Sequence, residues 1–534
     1  MSRRAPIVLF VVALAGAGAL LLALASQLTF VGDGWELLAG RPDWTPGTFF
    51  QPFNEHPVVL PALTYKILLA LFGMNSAMPF YGVSVSLFLL SAVLLFAYLR
   101  RRVGDWSALA GAVLVLFLGA AYEDLLWEFQ LCFFGSMSAG LGALLALDRG
   151  DRRGDLIASL LLVVSVAFSG LGIPFIAAAG ADVALDRKSS LRRAFVPLLP
   201  LLAYALWWLI AGHSTGGAME LAHVPDLPRY VFDAVAAGVA SLLGRQPIEA
   251  DGHPPLLAQA LAVLLAVVLA CWAGRRRHVP PGLIVALVLA FTFWALLGLD
   301  RGPQRFSSRF QYPSAVFLLI IVAEALRGKR PSRPTALALA AITLGAAIGG
   351  VSLLHKGYAD RWKPTSDQIR ATLAAIDLAG AHAQASYSMS LPPSIFLPVG
   401  QYRLAMREHG TPAFTEPQLL AAGESPRQAA DRALAAAINL RLVQPTRWGP
   451  GYDCTLTSPA SPAVQLAATG RFMLENRSGG RAAVAAGRFS HSAPARLGSL
   501  PAHSTRILSL PRDRAEQPWH LEIDAAPIRL CRAG

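Results

Sequence analysis

The clearest pattern along the chain is a series of long apolar runs separated by short polar segments. A helix of about 20 apolar residues crosses the hydrocarbon core of a bilayer, so these runs predict about eleven membrane spans. The runs cover residues 6–28, 77–99, 106–121, 130–147, 155–169, 171–186, 194–211, 256–274, 279–298, 311–326 and 334–354. The pair 155–169 and 171–186 is short and is broken at Ser169-Gly170-Leu171-Gly172, which predicts a tight helical hairpin.

The pattern changes after residue 354. Residues 365–380 and 415–440 are rich in Ala, Leu and Gln, which predicts helices, and from about residue 452 short alternating runs with turn residues predict a small β-sandwich. The fold class is therefore a mostly α, polytopic membrane protein with a C-terminal α+β domain. We predict a transmembrane domain over 1–354, whose first outer loop (30–76) contains interface helices, and a second domain over 355–534.

Composition and charge set the environment. Hydrophobic residues make up 54% of the chain and charged residues 15%, which excludes an ordinary soluble protein. The net charge of +13 does not indicate nucleic-acid binding, because many of the Lys and Arg residues lie between the spans. In the first 354 residues they concentrate near the N-terminus and in alternate loops. These loops are 100–102, 149–153, 187–193, 275–277 and 327–333.

The positive-inside rule then places the N-terminus in the cytoplasm of a bacterial cell and the first loop and C-terminal domain outside the inner membrane. The run 6–28 is longer than the apolar part of a signal peptide, so we predict a retained signal anchor rather than cleavage after Ala23-Leu24-Ala25. In the oxidising outer compartment, Cys454 and Cys531 are predicted to form a disulfide.

The first outer loop contains residues suited to chemistry at the membrane surface. Asp33 directly follows the first span, where a carboxylate could take a proton from an acceptor hydroxyl; the alternative is an acid that only ends the helix. His56-Pro57 opens an apolar helix that carries Lys66. That lysine could reach the headgroups or meet a lipid-linked phosphate.

Two later outer loops add acids and arginines. Glu123 and Asp124 lie among aromatic residues, as in a sugar site or in an ordinary aromatic belt. Their spacing is not a metal signature, so no metal ligands are assigned, although a divalent cation stays open. Arg305 and Arg309 run against the positive-inside trend, and their forked side chains suit a phosphate or the lipid headgroups.

The order of these parts resembles the GT-C membrane glycosyltransferases, in particular the branch of protein mannosyltransferases and aminoarabinose transferases. Asp33-Gly34-Trp35-Glu36 resembles their acidic motif, His56-Pro57-Val58-Val59-Leu60 their His-Pro-Pro-Leu-like segment, and Ser308-Arg309-Phe310 their late Ser-Arg-Tyr motif. The resemblance covers about residues 1–354. The family's adjacent Asp-Glu pair is Asp33-Gly34 here, so whether Glu36 or Glu55 supplies a second acid stays open.

The resemblance implies an inverting glycosyltransferase that moves a hexosyl or pentosyl group from a polyprenyl-phosphate donor to a glycan or protein acceptor at the outer face. Asp33 is then the base, and Glu36 is a catalytic candidate for the second acid. The donor and acceptor would be bound by Glu55, His56, Lys66, Glu123, Asp124, Arg305 and Arg309. The alternatives are a non-catalytic membrane scaffold or transporter-like protein that displays the C-terminal domain, and an enzyme resembling O-antigen polymerases or ligases.

Overall fold

The computed structural model describes most of the 534 residues. The described ranges are 4–53, 56–186, 190–212, 221–248, 252–275, 279–300, 307–329, 331–445, 452–456, 463–466, 469–492, 495–524 and 528–533. Structural statements below refer to these residues.

Helices dominate the chain as far as residue 437. The α-helices are α1 Ala5–Ala25, α2 Pro46–Phe50, α3 Val59–Phe72, α4 Met78–Val103, α5 Asp105–Leu116, α6 Tyr122–Leu125, α7 Leu131–Leu147, α8 Arg152–Phe168, α9 Gly172–Leu185, α10 Ser190–Arg193, α11 Phe195–Ala211, α12 Leu227–Leu242, α13 Leu256–Arg275, α14 Pro281–Asp300, α15 Gln311–Ala325, α16 Arg333–Gly357, α17 Lys363–Ala379, α18 Val399–His409, α19 Glu416–Ala421 and α20 Glu424–Ala437. Two π-helical turns, Glu36–Gly40 and Tyr358–Trp362, and the 3₁₀ turns Gly119–Ala121, Glu128–Gln130, Leu221–Asp226, Ser308–Phe310 and Gly380–His382 complete the helical set.

Each of the eleven apolar runs forms a helix. Among the described residues, eight helical segments are long and apolar enough to cross a membrane, and they contain α1, α4, α5, α7, α11, α13, α14 and α16. The other three predicted spans are the shorter helices α8, α9 and α15, with 17, 14 and 15 residues. A helix needs about 17 to 25 residues to span the core upright, so α9 and α15 are shorter than this length and α8 is at its lower limit.

Helix α12 lies between the predicted spans 194–211 and 256–274, where the sequence shows no long apolar run. Its buried residues are mostly small, among them Ala234, Ala237, Gly238 and Ser241, and they also include Tyr230 and Asp233. Arg229 and Asp233, on the same helix, interrupt the apolar pattern and hid it in the sequence. Small side chains allow helices to pack closely, which explains how a helix of modest hydrophobicity is buried here.

Contacts divide the chain into two compact units. The helical unit comprises Met1–Gln27, Asp43–Leu68 and Met78–Trp362, and the C-terminal unit comprises Leu28–Pro42, Leu69–Ala77 and Lys363–Gly534. Two segments of the predicted first outer loop, including the one that carries Asp33, therefore fold with the C-terminal unit.

Within the helical unit, charged segments predicted on the cytoplasmic side bind one another. Arg102 at the end of α4 donates to Glu324 of α15 and, at 2.9 Å, to each oxygen of Asp148 after α7. Arg193 binds Asp155 and Asp182 at 3.0 Å each. These ion pairs join loops that the charge pattern had placed on one side.

The strands of the C-terminal unit are β1 Ser388–Leu391, β2 Ile395–Pro398, β3 Tyr452–Leu456, β4 Ala463–Leu466, β5 Gly470–Asn476, β6 Ala482–Gly487, β7 Ala495–Leu500, β8 Thr505–Leu510, β9 Trp519–Ile523 and β10 Ile528–Ala533. β1 and β2 form a hairpin, and the other eight strands form two antiparallel sheets of order β3-β10-β5-β8 and β4-β9-β6-β7. The strand-rich region thus begins where the alternation predicted it.

Two features stabilise this strand-rich region. Cys454 of β3 and Cys531 of β10 are paired across neighbouring strands and form a disulfide. The buried carboxylate of Asp431 in α20 accepts hydrogen bonds from the backbone amides of Arg488, Phe489 and Ser490 at 2.8–2.9 Å. Helix α20 is thereby fixed to the segment that follows β6.

Candidate functional site

Glu123 connects three segments of the helical unit. One of its carboxylate oxygens pairs with the guanidinium of Arg361 at 2.9 Å, and the other accepts hydrogen bonds from the Ser307 hydroxyl and, at 3.3 Å, from the backbone amide of Arg309. Ser308 adds a further link, because its hydroxyl donates to the Ala120 carbonyl at 2.6 Å and accepts from the Glu123 amide at 3.2 Å. The turn that carries the acids is therefore bonded directly to the segment that carries Arg309.

Close backbone packing holds these segments in place. Gly119 in the turn before α6 lies directly against the carbonyl of Gly350 in α16, where any side chain would collide. Gly357, the last residue of α16, lies against the ring of Tyr122. Since glycine has no Cβ, the acidic turn and the end of α16 can approach to backbone contact.

Asp124 lies deeper than Glu123 and is fully buried, with 0% exposure. Within the part of the chain that the structure describes, neither of its carboxylate oxygens has a hydrogen-bond partner, and Arg309 is near enough to act on it electrostatically. The Arg309 guanidinium also lies 5.1 Å from the centre of the Phe310 ring. An ionisable group buried in a membrane-spanning bundle is costly and is a default indication of a functional site.

A third acid, Glu128, extends the buried set and was not chosen as a site residue from the sequence. It is 0% exposed and interacts with the Tyr81 hydroxyl. The next residue, Phe129, packs against two aromatic rings. Its ring centre lies 5.8 Å from that of Trp127 and 5.2 Å from that of Phe53. The sequence did contain a signal for Glu128, because it is the third acid in the loop that carries Glu123 and Asp124. Arg361 was also missed, because it lies beyond the last predicted span.

The structure places Lys66 and His56 in the helical unit. Lys66 in α3 is only 6% exposed, so its side chain is buried in the protein and does not extend outward. The backbones of His56 and Phe53 exchange two hydrogen bonds at 2.9 and 3.0 Å, and the His56 imidazole packs directly against Gly170 between α8 and α9. Glu55 and Arg305, also predicted to bind substrate, lie outside the described residues.

Asp33 and Glu36 belong to the C-terminal unit. Asp33 is half-buried in the turn after α1, and its carbonyl accepts from the Glu36 amide at 3.1 Å. Glu36 pairs at 3.7 Å with the buried Arg41, whose pKa is lowered by burial and raised by this carboxylate. Trp35 between them is fully buried, packs edge-on at 6.3 Å against Tyr402 of α18 and donates to the Phe30 carbonyl.

The geometry thus assembles Glu123, Asp124 and Arg309, three of the predicted binding residues, and adds Arg361 to them. In a low-dielectric surrounding, charged donors and acceptors interact more strongly with a ligand than they do in water. Among the described residues, no group of three or more His, Cys, Asp and Glu side chains has an arrangement that could hold a metal ion.

No family model matches the sequence, and no curated protein matches it either. Several solved structures are similar to this chain at low sequence identity. ArnT from Cupriavidus metallidurans bound to undecaprenyl phosphate is 14% identical over 71% of this chain and 82% of that one, with a TM-score of 0.45. The apo state of the same protein is 14% identical over 69% of this chain and 80% of that one, with a TM-score of 0.42. Arabinosyltransferase EmbB from Mycobacterium smegmatis is 11% identical over 97% of this chain and 64% of that one, with a TM-score of 0.33.

Proposed function

We propose that this protein is a membrane glycosyltransferase that moves a sugar from a polyprenyl-phosphate donor to an acceptor at the outer face of the membrane. The observation that carries the proposal is the burial of Asp124 and Glu123 beside Arg309, on segments predicted to be outside. A scaffold that only displays the C-terminal unit has no need for such a cluster. The forked guanidinium of Arg309 suits the bidentate binding of a phosphate.

The proposed reaction exchanges two bonds at the anomeric carbon. The acceptor oxygen forms a bond to this carbon while the bond to the donor's phosphate oxygen breaks, so the configuration inverts. Polyprenyl phosphate leaves with the electron pair, and the acceptor proton goes to a carboxylate base. We assign Arg309 to the charge that develops on the leaving phosphate, with the buried Lys66 as a further candidate cation.

We assign the base to Asp33. Its support is its position directly after α1 and its half-buried state. Glu36 is the weaker candidate, because its carboxylate pairs with the buried Arg41, and removing that pairing would leave a buried guanidinium without its anion. Glu36 is therefore proposed to stabilise the loop.

The donor is tested by equilibrium binding to the full-length protein in lipid nanodiscs. The panel contains polyprenyl-phosphate sugars and, for the ligase-like alternative, a polyprenyl diphosphate-linked oligosaccharide. We expect saturable binding of a monophosphate-linked sugar that weakens at least about tenfold in Arg309→Gln, since a charged hydrogen bond contributes roughly 1.5–3 kcal/mol. The control is Arg229→Gln, which changes an arginine with a 67% exposed side chain. Absence of saturable binding to the whole panel would refute the proposal and favour the scaffold.

The base is tested separately by transfer kinetics. Asp33→Asn keeps the shape of the side chain and removes the proton acceptor, so we expect transfer to fall about 10²–10⁴-fold while donor binding is unchanged. Glu36→Gln is the matched variant and should lower the thermal stability more than the rate per folded molecule. Full activity of Asp33→Asn would refute the base assignment and leave the donor assignment standing.

A further inference from the structure

A cavity of about 260 Å³ lies in the helical unit beside the Glu123 cluster. Four segments of the chain line it: the turn at 120–122, residues 246–248, Ser308, and the end of α16 with the π-helical turn after it. All four are segments that the charge pattern predicts on the outer side. The cavity is thus formed by the same face of the unit that carries Arg309.

The polar lining of the cavity is of two kinds. Lys356 and Arg361 supply cationic donors, and Asp360 and Gln246 supply groups that accept hydrogen bonds from hydroxyls. All four side chains are exposed, so a ligand can approach them from water. Arg361 is fixed by its 2.9 Å pair with Glu123, while 51% of its side chain stays accessible.

The walls of the cavity are held before any ligand binds. Tyr122 and Gly357 line it together and pack against each other without a gap for a side chain. Ser308, which also lines it, is held by its bonds to Ala120 and Glu123. A preformed site loses less entropy on binding than one that must be ordered by its ligand.

We propose that this cavity binds a saccharide that carries a phosphate group. Lys356 and Arg361 hold the phosphate, while Asp360 and Gln246 accept hydrogen bonds from the sugar hydroxyls. The two cations attract the phosphate, and the carboxylate beside them suits the hydroxyl-bearing part of the same ligand. The inference rests on the proposed function, in which this ligand is the acceptor.

The test measures binding of soluble probes to the full-length protein in nanodiscs by calorimetry. The probes are a hexose 6-phosphate, the unphosphorylated hexose, inorganic phosphate and sugar-free polyprenyl phosphate. We expect saturable binding of the hexose phosphate that is at least about tenfold tighter than binding of the hexose or of phosphate alone. Lys356→Gln should weaken it about tenfold and Lys356→Arg should retain it. Lys329→Gln, which removes an exposed lysine that does not line the cavity, should leave it unchanged.

The inference would be overturned by equal affinity for hexose and hexose phosphate, by equal affinity for phosphate and hexose phosphate, or by no difference between Lys356→Gln and Lys329→Gln. Loss of polyprenyl phosphate binding in Lys356→Gln, with no binding of hexose phosphate, would assign the cavity to the donor and also overturn it. Arg309→Gln separates the two proposals, because it should lose the donor and keep the hexose phosphate. A protein that binds hexose phosphate but no donor would refute only the proposed function.

Discussion

The clusters of buried charge around Glu324 and around Asp124 in the helical unit are satisfied by the protein to different degrees. In the first, predicted on the cytoplasmic side, Glu324 accepts from Arg102 and, at 2.8 Å, from the Tyr98 hydroxyl, and it pairs at 3.5 Å with Arg327. In the second, predicted on the outer side, the oxygens of Asp124 have no hydrogen-bond partner among the described residues. Both acids are almost fully buried, with 1% and 0% exposure.

This difference separates a structural role from a functional one. Arg102 also binds Asp148 and lies over the Tyr98 ring, 3.4 Å from its centre, so the first cluster is closed by its own side chains. A buried acid without a hydrogen bond is costly, and a protein that keeps one has a use for it that stability does not explain. The acid next to Arg309 is therefore the better candidate for contact with a ligand.

The largest effect on stability is expected from breaking the closed cluster. Arg102→Met should destabilise the protein by about 3–5 kcal/mol, because Glu324 and Asp148 then lose their main cation while Glu324 stays buried. The measurement is thermal unfolding in detergent. Adding Glu324→Leu should recover part of the loss, since removing both charges is far less costly than removing one. A stable Arg102→Met protein would show that this ion pair does not stabilise the fold.

The opposite outcome is expected for the open cluster. Asp124→Asn keeps the shape of the side chain and should leave the unfolding temperature unchanged or raised, because no hydrogen bond to a described residue is lost. Donor binding or transfer should fall about 10–100-fold if Asp124 orients Arg309 or contacts the sugar. Rescue of Arg309-dependent binding by Asp124→Glu would support the positioning role. If Asp124→Asn lowers the unfolding temperature and leaves donor binding intact, Asp124 has a structural role and the comparison between the two clusters fails.

The smallest effect on stability is expected at Ser308, which links the turn that carries Glu123 and Asp124 to the segment that carries Arg309. Ser308→Ala removes one donated and one accepted hydrogen bond and should cost about 1 kcal/mol, seen as a small drop in the unfolding temperature. It should also weaken donor binding slightly by loosening Arg309. Ser91→Ala in α4, which removes the buried hydroxyl bound to Tyr312, is the control for losing a buried hydroxyl at another position.

The sequence by itself determined the membrane class, the helices at all eleven apolar runs and the strand-rich C-terminal region. These features follow from hydrophobic runs, alternation and turn residues, which act over short stretches of chain. Helix α12 was missed because Arg229 and Asp233 broke its pattern, although its small residues pack well.

Only the tertiary structure decided which charged residues meet. Arg361 lies 238 positions after Glu123, and no local pattern links them, yet they form an ion pair at 2.9 Å. Equally, nothing in the segment around Asp33 showed that it folds with Lys363–Gly534 and not with the spans that flank it. Burial, pairing and cavities depend on contacts between distant segments, so the sequence named acids and arginines as candidates, and the fold determined which of them share a site.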